Sequence, residues 1–351
     1  MKKMLLTLTS FAAMISSFAQ DCSQLFISEY VEGFGNNKAI EIYNPTASAI
    51  NLSEYFLIRF NNGTTIMKPY GQYQSNVIQL PNTMLQPYTT YVVVLNRTEA
   101  NETSSDPAVW QELRALADVL LCESYDESNA MNFNGNDAVC LAKGSAANAN
   151  SPSTVLIDLI GKLGEDPGGN GTGGWSTVYP YNFSSGDPND VPVTLNHSLI
   201  RKSSIKKPYA DLDAEVFNPL LEWDSIPASL PKRDENGDII YQQDGVTPQW
   251  VGNWSSLRWH ACECDPNAHV NGMNLDNVKL FPNPTTGVFS LTGLENVETI
   301  EIFNTVGQLI DSISNNTKST VSFDLSGHSG AVMIKITDLA GRSATQKLII
   351  K

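Results

Sequence analysis

The stretch Gln24-Leu25-Phe26-Ile27-Ser28-Glu29-Tyr30-Val31-Glu32-Gly33-Phe34-Gly35-Asn36-Asn37-Lys38-Ala39-Ile40-Glu41-Ile42-Tyr43 decides the fold class. Strand material occurs twice in it, as Leu25-Phe26-Ile27 and as Ala39-Ile40-Glu41-Ile42-Tyr43. The connecting residues 32–37 are rich in turn formers, which is hairpin punctuation. The same grammar recurs at 56–60, 91–95, 119–122, 138–142, 155–160 and 198–201, mostly with Gly, Pro, Asn or Asp nearby. Many short strands predict a β-sandwich, so the expected class is all-β. One helix stands out: Asp106 can cap it, Pro107 suits its first turn, and Val109, Leu113 and Leu116 recur at helical spacing.

Composition agrees with a folded, turn-rich chain. The 351 residues suffice for two or three domains, and 41% hydrophobic against 17% charged residues excludes general disorder. A formal charge of −15 argues against a phosphate-backbone partner, so nucleic acid is not expected. The tail, 278–351, holds 6 basic and 6 acidic residues, whereas 20–277 holds 14 basic and 31 acidic. The acidity therefore belongs to the main domain.

Lys2 and Lys3 precede a mostly apolar run over 4–18 that closes in Ser17-Phe18-Ala19, which predicts a signal peptide over 1–19 cut between Ala19 and Gln20. The run is short and polar for a bilayer span. Gln20-Asp21 before Cys22 lacks the small residue that lipid attachment needs. Outside the cytoplasm cysteines oxidise. Of Cys22, Cys122, Cys140, Cys262 and Cys264, we expect Cys22 to pair with Cys262 or Cys264, because the ends of a sandwich domain often lie close together, and Cys122 to pair with Cys140.

The rest of the map follows from composition. Residues 161–189 are Gly-rich and read as a long surface loop, and 208–249 is irregular. Residues 265–277 are polar and patternless, and read as a linker between a domain over 20–264 and a second unit over 278–351. That unit has strand patterns at 288–291, 299–303, 321–325, 332–336 and 346–350, enough for a small sandwich.

Phe26 to Gly33, Asn36 to Pro45 and Ile50-Asn51-Leu52-Ser53-Glu54-Tyr55 resemble the opening of the lamin tail domain of secreted bacterial proteins. Asn132-Phe133-Asn134-Gly135-Asn136-Asp137-Ala138-Val139, Leu156 to Gly161, Leu199-Ile200-Arg201-Lys202 and Glu222-Trp223-Asp224 resemble its later segments, so the likeness spans roughly 24–264. Glu54 stands where that family commonly has glycine, and 208–249 looks longer than usual. The resemblance implies an immunoglobulin-like sandwich whose own role is mostly unassigned and which often accompanies nucleases or phosphoesterases.

The tail resembles the type A sorting domain of the type IX secretion system. The residues that carry the likeness are Leu280-Phe281-Pro282-Asn283-Pro284-Thr285-Thr286-Gly287, Ile302 to Gln308 with Gly307, Asp324-Leu325-Ser326, and Lys347-Leu348-Ile349-Ile350-Lys351. It implies export across both membranes of a Gram-negative bacterium by the type IX machinery. Removal of the tail, then release or attachment to surface lipopolysaccharide, would follow.

Chemistry-bearing residues are sparse. His260, Cys262, Cys264 and His269 form the only Cys/His cluster, but Cys-x-Cys is tight for zinc and the compartment favours a disulfide. Asp234, Asn236 and Asp238 alternate as calcium ligands do, yet Gly237 is out of place and a downstream glutamate is missing, so a polar turn is the plainer reading; no cofactor is expected, with calcium at these residues the alternative. Glycines 168–174 lack the lysine and strand-to-helix setting of a phosphate loop. Glu29 and Glu41 are a candidate carboxylate pair for acid-base or cation chemistry. More simply, they accept backbone hydrogen bonds or face solvent. Trp175, Tyr179, Tyr181 and Phe183 are candidate stacking residues against a default of packing, and Arg201, Lys202, Lys206 and Lys207 form a basic cluster that suits an anion or a defended strand edge.

The expectation is a secreted or cell-surface, non-enzymatic protein that binds or scaffolds glycan, protein or matrix. A metal-dependent hydrolase or nuclease accessory module is the alternative.

Overall fold

The structure is a computed structural model that describes residues 21–98, 107–168, 173–181, 191–234, 238–266, 278–294, 297–304, 308–314, 318–338 and 343–351. The expected signal peptide with its Ala19/Gln20 junction, Asp106, Phe183, Asn236, His269, Gly307 and most of the 265–277 linker lie outside these residues.

β1 (Phe26–Glu32) and β2 (Lys38–Tyr43) form the expected hairpin, paired Phe26 to Tyr43 and Tyr30 to Ile40. They are followed by β3 (Ile50–Asn51), β4 (Tyr55–Phe60), β5 (Val77–Gln79), β6 (Met84–Leu85) and β7 (Thr90–Leu95). α1 (Gln111–Leu116), β8 (Val119–Leu121), β9 (Ala138–Lys143), β10 (Val155–Ile160), β11 (His197–Arg201), β12 (Trp223–Pro227), β13 (Ser229–Pro231) and β14 (Trp250–Gly252) complete the main unit. One sheet has the order β12-β11-β1-β2-β7-β8, antiparallel except for β7 with β8, and the other is β10-β9-β4-β5.

Strand alternation sorts the two faces. Ile27, Tyr30, Ile40 and Ile42 point between the sheets and meet Leu57, Leu141 and Ile157 in one buried cluster. β1 and β2 are nevertheless buried at every position, because the opposite face of the large sheet is covered as well. Two bulges meet at the seam, between Ile27 and Glu29 in β1 and between Leu156 and Asp158 in β10. Asp158, fully buried, accepts from the Ile27 and Tyr209 backbone N–H groups at 2.7 and 2.8 Å and faces Arg201 at 3.0 Å.

The helix is shorter than the sequence pattern suggests. It begins after Trp110, whose backbone N–H donates to the Asn37 side chain at 2.8 Å, so an asparagine from the hairpin loop fixes the entry and Pro107 lies ahead of the first turn.

Cys122 and Cys140 are both buried and unbridged, which corrects the expected pairing. Cys122 belongs to the cluster between the sheets, whereas Cys140 points to the far side of β9, into a separate cluster with Phe56, Ile58 and Phe60. A sheet separates the two sulfurs.

The tail is a second sandwich. β15 (Lys279–Phe281), β16 (Val288–Thr292) and β19 (Thr320–Asp324) form one sheet. β17 (Val297–Asn304), β18 (Leu309–Ser314), β20 (Gly330–Asp338) and β21 (Ser343–Ile350) form the other, in the order β18-β17-β20-β21. Phe289, Leu291, Ile300, Ile302, Ile334 and Leu348 are its buried centre. Gly287 has φ of +126°, and a Cβ there would lie 2.4 Å from the Ser326 backbone, so the close approach of these two loops requires glycine.

Candidate binding site on the outer face of the large sheet

Residues 253–264 leave β14 and cross the outer face of β1 and β2 as a strap. Sequence and partners explain its path residue by residue. Trp254 and Leu257 are buried, and Gly252 admits the Trp254 ring where any Cβ would overlap it, 2.3 Å from the nearest ring atom. Ser256 donates its hydroxyl to Glu29 at 2.9 Å, and the Arg258 backbone N–H donates to Glu41. The His260 ring stands edge-on to Phe26 and Tyr43, with centroids 5.7 and 5.0 Å away. Cys262 packs on the same two rings, and Cys264 is bonded to Cys22, with Cα atoms 5.4 Å apart. The strap is thus a built part of the domain, pinned at its end to the beginning of the described chain.

Trp259 remains half-buried on this strap and separates two hollows. The larger, of about 500 Å3, is lined by Arg201, Asp224, Asn253, Ser255, Trp259 and His260 among others of the main unit, and by Glu298 of the tail. The smaller, of about 340 Å3, has Thr89, Thr90, Asp118, Arg258, Trp259 and His260 in its wall.

The electrostatics are those of a desolvated layer. Glu29 and Glu41, each 1% exposed, stand directly opposite one another in the β1–β2 register. Burial raises both carboxyls, Glu29 further through the charge of Glu41. Glu41 is pushed up to about 8 despite hydrogen bonds from Ser28 and Arg258. Burial also drives His260 down to about 3, assisted by the Arg201 charge, so its ring is neutral at physiological pH. Arg201 is no free cation: it holds Asp158 at 3.0 and 3.2 Å and Glu222 at 2.9 Å, and lies 4.5 Å over the Trp223 ring.

The residues singled out from sequence fare differently. The Glu29–Glu41 pair is brought together, but as a sealed pair beneath the strap and not on a solvent face. Of the Cys/His cluster, Cys264 is in a disulfide with Cys22 as the compartment favours, and no group of three or more His, Cys, Asp or Glu placed for a metal occurs among the described residues. Asp234 and Asp238 close a turn on each other, Asp234 N–H to Asp238 carbonyl at 2.9 Å and Asp238 N–H to the Asp234 carboxylate at 3.0 Å. That geometry is a polar turn, with one carboxylate turned to the backbone.

The basic cluster dissolves. Arg201 is buried, Lys202 donates to the Leu220 carbonyl and Lys206 pairs with Glu263 at 3.0 Å. Trp175 and Tyr181 are core residues, Trp175 donating to the Asp137 carbonyl at 3.0 Å and Tyr181 to that of Phe217, while Tyr179 is exposed. In the tail, Asn283 donates to the Lys347 carbonyl at 2.8 Å and accepts from Ile349 N–H at 3.1 Å. Lys351 N–H donates to the Thr285 carbonyl at 2.9 Å. The Pro282-Asn283-Pro284 turn and the final strand are therefore one unit. Trp259, Asn253 and Ser255 escaped sequence reasoning. The one available signal was a tryptophan on either side of Ser255-Ser256-Leu257-Arg258 in an otherwise polar stretch.

Comparison with known proteins bears on both units. Residues 19–156 match the family model of the Lamin Tail Domain, and 279–351 that of the Secretion system C-terminal sorting domain. No curated protein matches. Among solved structures, the crystal structure of a DUF4876 family protein from Bacteroides thetaiotaomicron VPI-5482 is similar at 12% identity over 66% of this chain and 69% of that one, with a TM-score of 0.27. The lamin tail match ends inside β10, so β11, β12 and the strap lie beyond the matched segment. Residues 19–156 thus carry an immunoglobulin-like lamin tail match and residues 279–351 a type IX secretion sorting match, and the chain is a secreted or outer-surface protein.

Proposed function

We propose that the exported domain is a non-enzymatic binding module for extracellular glycan, protein or matrix, working without a cofactor, and that its contact surface is the strap with its two hollows. One observation carries this reading: Trp259 is held half-exposed between two polar hollows by a segment fixed through Ser256, Arg258, His260 and the Cys22–Cys264 bond. A rigid aromatic with polar neighbours gives contact area at low entropic cost. The strong charges nearby, Arg201 with Asp158 and the Glu29–Glu41 pair, are buried in structural roles and support binding over turnover.

The test is co-sedimentation of the full-length oxidised chain with isolated outer-membrane and extracellular-matrix fractions. Retention by a fraction, lost in Trp259→Ala with the circular dichroism unchanged, is expected. A chain retained by no fraction, or a Trp259→Ala variant retained as well as the parent, overturns the proposal.

A further inference from the structure

We infer that the larger hollow receives an uncharged sugar ring of a polysaccharide, stacked on Trp259, with the chain continuing across Trp259 into the smaller hollow. This rests on the binding-module reading above and gives it a ligand class.

The shape comes first. Trp259 is a wall of both hollows, so a linear polymer crossing the strap meets one aromatic face between two polar recesses. About 500 Å3 on the larger side is within the range of small-ligand sites. An indole offers apolar surface to the C–H face of a sugar ring, while Asn253, Ser255 and Asp224 beside it offer short donors and acceptors suited to hydroxyls.

The second observation is independent of shape. Arg201 Nε and His260 Nε2 are buried polar atoms without a hydrogen-bond partner among the described residues, and both residues line the larger hollow, with these two atoms sealed just behind its wall. Unmatched buried polar groups are costly and call for a partner. Arg201 Nε–H can only donate, whereas a neutral imidazole nitrogen takes either role. The wall must shift to bare these atoms, and a hydroxyl group then suits both, able to accept from Arg201 and to donate to His260. A carboxylate, phosphate or sulfate could not donate to His260.

Charge decides against anionic polymers in general. The Arg201 charge is matched by Asp158 and Glu222, Lys202 donates to the Leu220 carbonyl, and Asp224 is exposed. Residues 20–277 carry 31 acidic against 14 basic groups, so a sulfated or phosphorylated chain approaches a repulsive surface.

The experiment is affinity electrophoresis of the full-length oxidised chain through gels holding β-1,3-glucan, mannan, galactomannan, dextran sulfate or no polymer. Parent, Trp259→Ala, Trp259→Phe and Asn253→Ala are compared, with circular dichroism confirming the fold. At least one neutral polymer should retard the parent. Trp259→Ala should weaken that binding about tenfold or more, and Trp259→Phe should retain part of it. Retardation by dextran sulfate alone, or equal retardation of Trp259→Ala, overturns the inference.

Periodate oxidation of the matrix fraction separates the two claims. Residues linked through O3 lack the vicinal diol that periodate cleaves, so the gels are read with it: if Trp259-dependent sedimentation survives periodate and no neutral polymer retards the parent, the sugar assignment falls and the binding module stands. If no fraction retains the chain, both fall.

Discussion

Glu29 and Glu41 face each other across the central strand pair of the large sheet, each sealed from water by the strap that donates Ser256 to one and the Arg258 backbone to the other. Two carboxyls so placed cannot both ionise cheaply, and burial already favours their neutral forms. The strap therefore rests on a pair that is comfortable only with protons bound.

This pair makes stability depend on pH, with a definite sign. Glu41 has a folded value of about 8 against an ordinary 4.5, and Glu29 is raised too. The unfolded chain releases these protons above pH 4.5 while the folded chain keeps them, so stability falls as pH rises from 4.5 through 8. His260 works in the opposite direction: held neutral down to about 3 against an ordinary 6.5, it removes stability as pH falls from 6.5 towards 3. The two limbs overlap from 4.5 to 6.5, so the melting temperature of the full chain should peak within that range, falling below it through His260 and above it through the glutamates. Glu41→Gln should flatten the alkaline limb, each unit of raised pKa being worth about 1.4 kcal/mol. An unchanged alkaline limb in Glu41→Gln would remove the assignment.

The Cys22–Cys264 bond closes a loop of 242 residues in sequence separation, for which chain entropy gives about 5 kcal/mol. Its loss should also free the end of the strap. Iodoacetamide labelling read by intact mass should find no reactive thiol in the native chain, since Cys122, Cys140 and Cys262 are buried. It should find three after denaturation without reductant and five with it. One thiol in the denatured, unreduced chain would mean a second bridge and contradict the structure.

How much of this was legible beforehand differs by element. β1, β2, β4, β7 and β9 were readable because β-branched and aromatic residues stand between turn formers, and the pairing of Cys22 near the end of the domain followed from where sandwich termini meet. β18 was not, because its Leu309–Ser314 is mostly exposed and has too little apolar alternation to register. The burial of Glu29 and Glu41 was unreadable for another reason. Alternation assigns a face to each residue but cannot report that a segment more than 200 residues later covers that face. Arg201 misled similarly: a run with Lys202, Lys206 and Lys207 looks like a basic patch until folding turns the arginine inward onto Asp158.

Asp137 organises the loop that resembled the lamin tail family. Its carboxylate accepts from Arg59 Nε at 2.7 Å, Asn134 N–H at 2.8 Å and Asn62 N–H at 3.0 Å, and its carbonyl receives Trp175 Nε1. Arg59 is itself buried, so Asp137→Ala leaves an unpaired cation and two unmatched amides. A loss of about 3–5 kcal/mol in urea unfolding is expected. Arg59→Met with Asp137→Leu should recover part of it, because the isolated charge is then gone. A loss under about 1 kcal/mol for Asp137→Ala would show the pair to be incidental.

In the tail, Asn283 holds the Pro282-Asn283-Pro284 turn to β21 through two hydrogen bonds, to the Lys347 carbonyl and from Ile349 N–H. β21 pairs with β20 alone, so this turn guards its far side, with Thr285 N–H to the Ile349 carbonyl and Lys351 N–H to the Thr285 carbonyl extending the contact. Asn283→Ala leaves the strand's backbone groups open at an edge and should cost about 1–2 kcal/mol of tail stability. Because the sorting domain is what the secretion machinery reads, the variant should also reach the cell surface less efficiently than the parent, and removal of 278–351 should trap the passenger in the periplasm. Fractionation with protease shaving of intact cells measures both. Undiminished surface exposure of the truncated chain would show that the tail is not its export signal.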